Sequence, residues 1–197
     1  MSRAQAGFGL IELLIASLLF SVGVSGLLAG QAVAWRNSLE SAQVARATAL
    51  ASDLLARMES NPEPLAVYTQ EGLAPTGLPQ LPPRAAAACH GPLEEGPCTA
   101  ETLAQYDLAD WLALLQDGGE RSVAGEPVAG LPEPHVCIAV QANRLTVAIA
   151  WRGAGVTVAQ AASPCGAGRG RYGVNDRQRR VVALQTWIPG GSRGDGA

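Results

Sequence analysis

The first 60 residues carry two hydrophobic patterns in succession and no proline. From Phe8 to Gly30 the chain reads FGLIELLIASLLFSVGVSGLLAG, apolar all round with Glu12 as its only ionisable group. As a helix this run would rise about 35 Å at roughly 1.5 Å per residue, enough to cross a bilayer core. From Leu39 on, apolar residues recur at helical spacing: Leu39, Val44, Ala47, Leu50, Ala51, Leu54, Leu55 and Met58. Glu40 and Gln43 interrupt the stripe. The pattern predicts one long helix, membrane-spanning first and amphipathic later, stopped by Asn61-Pro62.

Beyond it the pattern changes twice. Residues 62–98 are rich in Pro and Gly and predict a long loop, with one helical turn near Arg84–Ala88. Thr99 has the chemistry of an N-cap, and Ala104, Leu108, Trp111 and Leu115 follow at helical spacing up to Gly118-Gly119. Trp111 at this spacing reads as core. The last third predicts strands: Val136–Gln141 and Leu145–Arg152 as a hairpin turning at Asn143-Arg144, a short strand at Val156–Ala159, and a final strand over Arg180–Ile188. The predicted class is α+β, a long helix followed by an antiparallel sheet of three or four strands that packs on it.

Composition narrows the chemistry. The net charge of −3 argues against a dedicated nucleic-acid binder. The four cysteines, Cys89, Cys98, Cys137 and Cys165, all follow the apolar run. Two disulfides in an oxidising compartment is the plain reading. A four-cysteine zinc site is the alternative, although its ligands usually come in tight pairs. No catalytic constellation emerges: His90 and His135 are placed in Pro/Gly-rich loops without metal-ligand spacing, and Ser163 lacks a nucleophile-elbow context. The reading is therefore of a chain that is not an enzyme, with no cofactor, no metal and no small-molecule substrate. The Gly-rich stretch with Arg169, Arg171, Arg177, Arg179 and Arg180 is either a solvated loop or a surface for DNA or anionic headgroups.

A conventional signal peptide would have a shorter apolar core, with a small-residue cleavage site such as Ala29 to Ala34 could offer. A plain anchor fits the length but does not explain a carboxylate inside the run. The string Gly7-Phe8-Gly9-Leu10-Ile11-Glu12 resembles the signal of type IV prepilins and pseudopilins, with Gly9 where that family usually has Thr or Ser. The resemblance implies cleavage by a prepilin peptidase between Gly7 and Phe8, methylation of the new amine on Phe8, and retention of the apolar helix. Glu12 would then lie near a helix N-terminus, favoured there by the macrodipole, and would either face the amine of a neighbouring subunit or merely snorkel to the interface. Gly23, Gly26 and Gly30 would either loosen the helix on assembly or let neighbouring helices approach closely.

The segment CTAETLAQYDLADWLALL after the Cys-bracketed loop resembles PilV-type minor pilins. The implied plan is the type IV pilin-like lollipop: leader 1–7, transmembrane half-helix 8–30, amphipathic half-helix 31–61, periplasmic head 62–190 and tail 191–197. Of three disulfide connectivities, proximity and the resemblance favour Cys89–Cys98 and Cys137–Cys165. The implied role is a minor pilin that primes assembly of a type IV pilus. It would be anchored once in the inner membrane and carried into the filament, with other minor pilins and the major pilin as partners. A minor pseudopilin of a type II secretion system, or a bitopic periplasmic interaction module, would share parts of this plan.

Overall fold

The computed structural model describes residues 9–69, 98–117, 123–124, 130–141, 143–157 and 163–188. The chain divides into two compact units, Met1–Ala42 and Gln43–Ala197. Helix α1 runs from Leu10 to Ser60, a span free of proline, and stops immediately before Asn61-Pro62. In the first unit the helix turns its apolar side chains outward: Leu10, Leu13, Leu19, Phe20, Leu27 and Trp35 are all exposed.

The second unit is built on the last part of α1. Its buried stripe, Ala47, Leu50, Ala51, Leu54, Leu55 and Met58, repeats every three or four residues and forms one face. The start of the stripe differs from expectation. Leu39 and Val44 are exposed, whereas the polar intruder Gln43 is half-buried and accepts a 3.1 Å hydrogen bond from Trp151 Nε1. A polar side chain on a packing face is tolerated where it satisfies a buried donor.

A short helix α2, Leu65–Tyr68, and helix α3, Ala100–Asp117, follow. Thr99 caps α3 as its residue type suggests, its Oγ1 accepting from the Thr102 amide at 3.2 Å. Buried Asn61 ties the end of α1 to the start of α3 by donating to the Ala100 carbonyl at 2.7 Å. Trp111 is fully buried and donates to the Leu50 carbonyl at 2.8 Å. Around Arg57 the two helices also meet through charge, since its guanidinium lies 3.0 Å from Asp53, 3.5 Å from Asp107 and 3.0 Å from Asp110.

Strands β1 (His135–Gln141), β2 (Arg144–Arg152) and β3 (Arg179–Trp187) form an antiparallel sheet in the order β1-β2-β3. The hairpin turns at Asn143, and Gln141 pairs with Arg144. Alternation assigns the two faces. Val136, Ile138, Leu145, Val147, Ile149, Trp151, Val182 and Leu184 join the core with α1 and α3. Cys137, Ala148, Ala150, Val181 and Ala183 turn the other way. Val156 and Thr157 are not in a strand, so the short fourth strand is absent over those two residues. The rest of that stretch, like the helical turn expected near Arg84–Ala88, lies outside the described residues.

Candidate functional site

The first candidate is the outer surface of α1 itself. Gly9 opens the helix, its carbonyl accepting from the Glu12 and Leu13 amides at 3.0 and 3.3 Å. Glu12 stands in the first turn and is exposed. A carboxylate there meets the positive end of the helix dipole and the unpaired first-turn amides. Gly7 and Phe8, the two residues at the expected cleavage point, lie outside the described residues.

The polar groups farther along this stretch are satisfied inside the helix. Ser17 donates to the Leu14 carbonyl, Ser21 to Ser17 and Ser25 to Ser21, at 2.9, 2.7 and 2.8 Å. Hydroxyls closed onto their own helix suit a hydrocarbon surrounding, where no water would take the bond. At Gly23, Gly26 and Gly30 nothing lies within 4 Å of where a side chain would begin, so no contact among the described residues requires these glycines. Among the described residues α1 is the one helix long and apolar enough to cross a membrane.

The second candidate is the sheet face turned away from the helices. Cys137, on β1, is disulfide-bonded to Cys165 in the segment before β3, with Cα atoms 5.8 Å apart. Cys98 is disulfide-bonded too, and Cys89 lies outside the described residues, as does His90. His135 is not in a loop, as the sequence suggested; it is the first residue of β1 and is buried. Its imidazole and the sulfurs of Cys137 and Cys165 lie within 4.8 Å of one another. The grouping resembles a metal-ligand set, but both sulfurs are consumed in the disulfide and offer no thiolate. Burial lowers the His135 pKa, and the charges of Arg169 and Arg171 lower it further, which favours the neutral ring. The prolines before His135 suggested a loop. The signal that could have placed it is the apolar run beginning at Val136, which makes His135 a strand start.

The Gly- and Arg-rich stretch that looked like a basic surface is largely a cover for this face. Arg179 Nη1 donates to the carbonyls of Ser163 and Cys165 at 2.9 and 2.7 Å, and Arg180 donates to the Gly155 carbonyl at 3.0 Å. Buried Tyr172 donates to the Glu133 carbonyl at 3.2 Å. Gly166 sits at φ +73°, and a side chain there would come within 3.0 Å of the Tyr172 ring and 3.1 Å of Ala150 Cβ. Arg179 and Arg180 are thus structural, while Arg169 and Arg177 remain exposed.

Residues 2–28 match the prokaryotic N-terminal methylation motif, the signal of type IV prepilin-like proteins. No curated protein and no solved structure matches the chain. The motif match ends within the apolar part of α1. It supports a type IV pilin-like or pseudopilin protein and points to a structural subunit rather than an enzyme. The motif and the single apolar N-terminal helix fit a single-pass inner-membrane protein.

Proposed function

We propose that this chain is a minor pilin that primes assembly of a type IV pilus, similar in plan to PilV-type subunits. Prepilin peptidase cuts between Gly7 and Phe8 on the cytoplasmic side, and the new amine of Phe8 is methylated. The mature subunit waits in the inner membrane with its head in the periplasm. It then enters the filament beside other minor pilins and the major pilin. Cys89 pairs with Cys98 and closes the loop that precedes α3.

The observation that carries this reading is a long run of exposed apolar side chains, from Leu10 to Trp35, with one carboxylate near its start. Lipid covers such a surface in the membrane, and neighbouring helices cover it in a filament. Glu12 is costly in either place unless it meets a positive partner. The Phe8 amine of an adjacent subunit supplies one. Their pairing rewards one axial stagger over others, so the charge sets register more than it adds stability. The contact is head-to-tail, and repetition of such a contact builds an open filament.

Deletion of the gene, scored for surface pili and separately for protein secretion, tests the role. Loss of pili with intact secretion is expected, with poor rescue by Glu12→Ala. Lost secretion with normal piliation would assign the chain to a secretion pseudopilus instead, and full rescue by Glu12→Ala would remove the register role.

A further inference from the structure

We infer that the outer face of the sheet is a binding groove for an acidic oligosaccharide, a uronate-bearing glycan. This goes beyond the filament role and concerns only the second compact unit.

Strand register lays the groove out in rows. Gln141, Arg144 and Trp187 form one row across β1, β2 and β3; Ala139, Thr146 and Gln185 form the next; Cys137, Ala148 and Ala183 form the third. The covering segment closes the far end, where Cys165, Gly166 and Arg169 line a wall. The Cys137–Cys165 disulfide fixes that wall to the floor. The result is an open concavity of about 540 Å³.

Three properties select the ligand. The floor is made of small side chains, Ala139, Ala148 and Ala183, which leave room for a flat ring and form no deep apolar pocket for a large side chain. Groups able to pair with hydroxyls stand around it on rigid strands. Gln141 and Gln185 line it at exposed strand positions, and each side-chain amide can both donate and accept, as sugar hydroxyls require. Gln141 on β1 and Gln185 on β3 have β2 between them, so they stand about 10 Å apart across two strand spacings, a separation that suits hydroxyls on successive rings of an oligosaccharide. At the groove's edge Trp187 is 60% exposed, with the Arg144 guanidinium 4.9 Å from its ring centroid, and its open surface is one against which a sugar face can stack.

Charge then narrows the class. Arg144 and Arg169 both line the groove, and no described lining residue is a carboxylate. Two separated guanidiniums suit carboxylates spaced along a glycan. A nucleic acid, with a phosphate at every residue, is ordinarily met by many more cations, and the chain's net charge of −3 opposes it.

The test uses the full chain in nanodiscs of zwitterionic lipid. Calorimetry and tryptophan fluorescence follow titration with an oligogalacturonate, with its methyl ester, and with single-stranded DNA at the same salt. Saturable binding of the oligogalacturonate is expected. Affinity should fall about tenfold on esterification and about fivefold with each of Arg144→Gln and Arg169→Gln, the scale of an exposed charge-assisted contact. Both arginines are exposed, so the variants should melt with the parent; if one does not, the other decides. Trp187→Phe should remove the fluorescence change. The inference is overturned by absence of saturable binding at millimolar ligand, by affinity indifferent to both arginine substitutions, or by tighter binding of DNA than of the uronate.

Discussion

Replacing Trp111 probes the joint between α1 and α3 directly. The indole is fully buried, and its Nε1 reaches the Leu50 carbonyl, 61 residues earlier in the chain. Trp111→Phe keeps a ring but removes that hydrogen bond, worth about 1 kcal/mol net. It also leaves unfilled the space of the lost ring, about 1–2 kcal/mol more. The Leu50 carbonyl lies inside α1 and keeps its helical partner, so it is not orphaned. The expected cost is therefore about 2–3 kcal/mol, and Trp111→Ala, which empties the site, should cost about 3–5 kcal/mol. For a chain of this size about 2–4 °C of melting temperature follows each kcal/mol. The phenylalanine variant should thus melt several degrees lower. Near-ultraviolet circular dichroism of the detergent-solubilised full chain during heating and urea titration would read it. A Trp111→Phe cost below about 1 kcal/mol, or equal costs for the two variants, would refute the claim that this side chain fastens α3 to α1.

Three further changes probe the second unit. His135 has its pKa lowered from 6.5 by burial and by Arg169 and Arg171, so the unfolded chain takes up its proton first. Stability should be fully present above pH 6.5 and decline as pH falls below it, by at most about 1.4 kcal/mol per pH unit. A His135 ring resonance titrating at or above pH 6.5 would contradict this. Tyr68 behaves in the opposite sense: burial, reinforced by the charge of Asp107, raises its pKa from 10.0 to about 12. Its contribution is present below pH 10.0 and is lost as pH rises through about 12, so Tyr68→Phe should flatten the alkaline part of the stability curve. Urea midpoints across that range check it, and an unaltered slope would count against the assignment. Gly166→Ala combines a φ of +73° with contacts of 3.0 and 3.1 Å. It should cost at least about 1 kcal/mol in thermal unfolding, and an unchanged melting temperature would show that the covering segment is not held as described.

The elements that one periodicity can encode were legible in the chain. A proline-free run up to Asn61, the spacing of Leu50, Leu54, Leu55 and Met58, and the apolar strands flanking Asn143 each report a local backbone choice. What was not legible depends on groups brought together from afar. Gln43 looked like a flaw in the helical stripe because its partner, Trp151, is 108 residues away. His135 and the wall at Cys165 are neighbours only after β1 and the segment before β3 are tied. Arg179 looked like free basic charge because carbonyl acceptors such as Ser163 and Cys165 leave no mark in a sequence. The N-terminal signal was legible for a different reason. Such a motif is a linear string, so the match over residues 2–28 needs no tertiary context.

Mass spectrometry of the protein purified from its native membrane, with and without prepilin peptidase activity, is the shortest route to a decision on assembly. The N-terminal peptide should begin at a methylated Phe8 in the first case and retain the leader through Gly7 in the second. A native chain that starts at Met1 or Ser2 in both, or that lacks the stretch containing Glu12, would leave no processed amine for a neighbour's carboxylate to find.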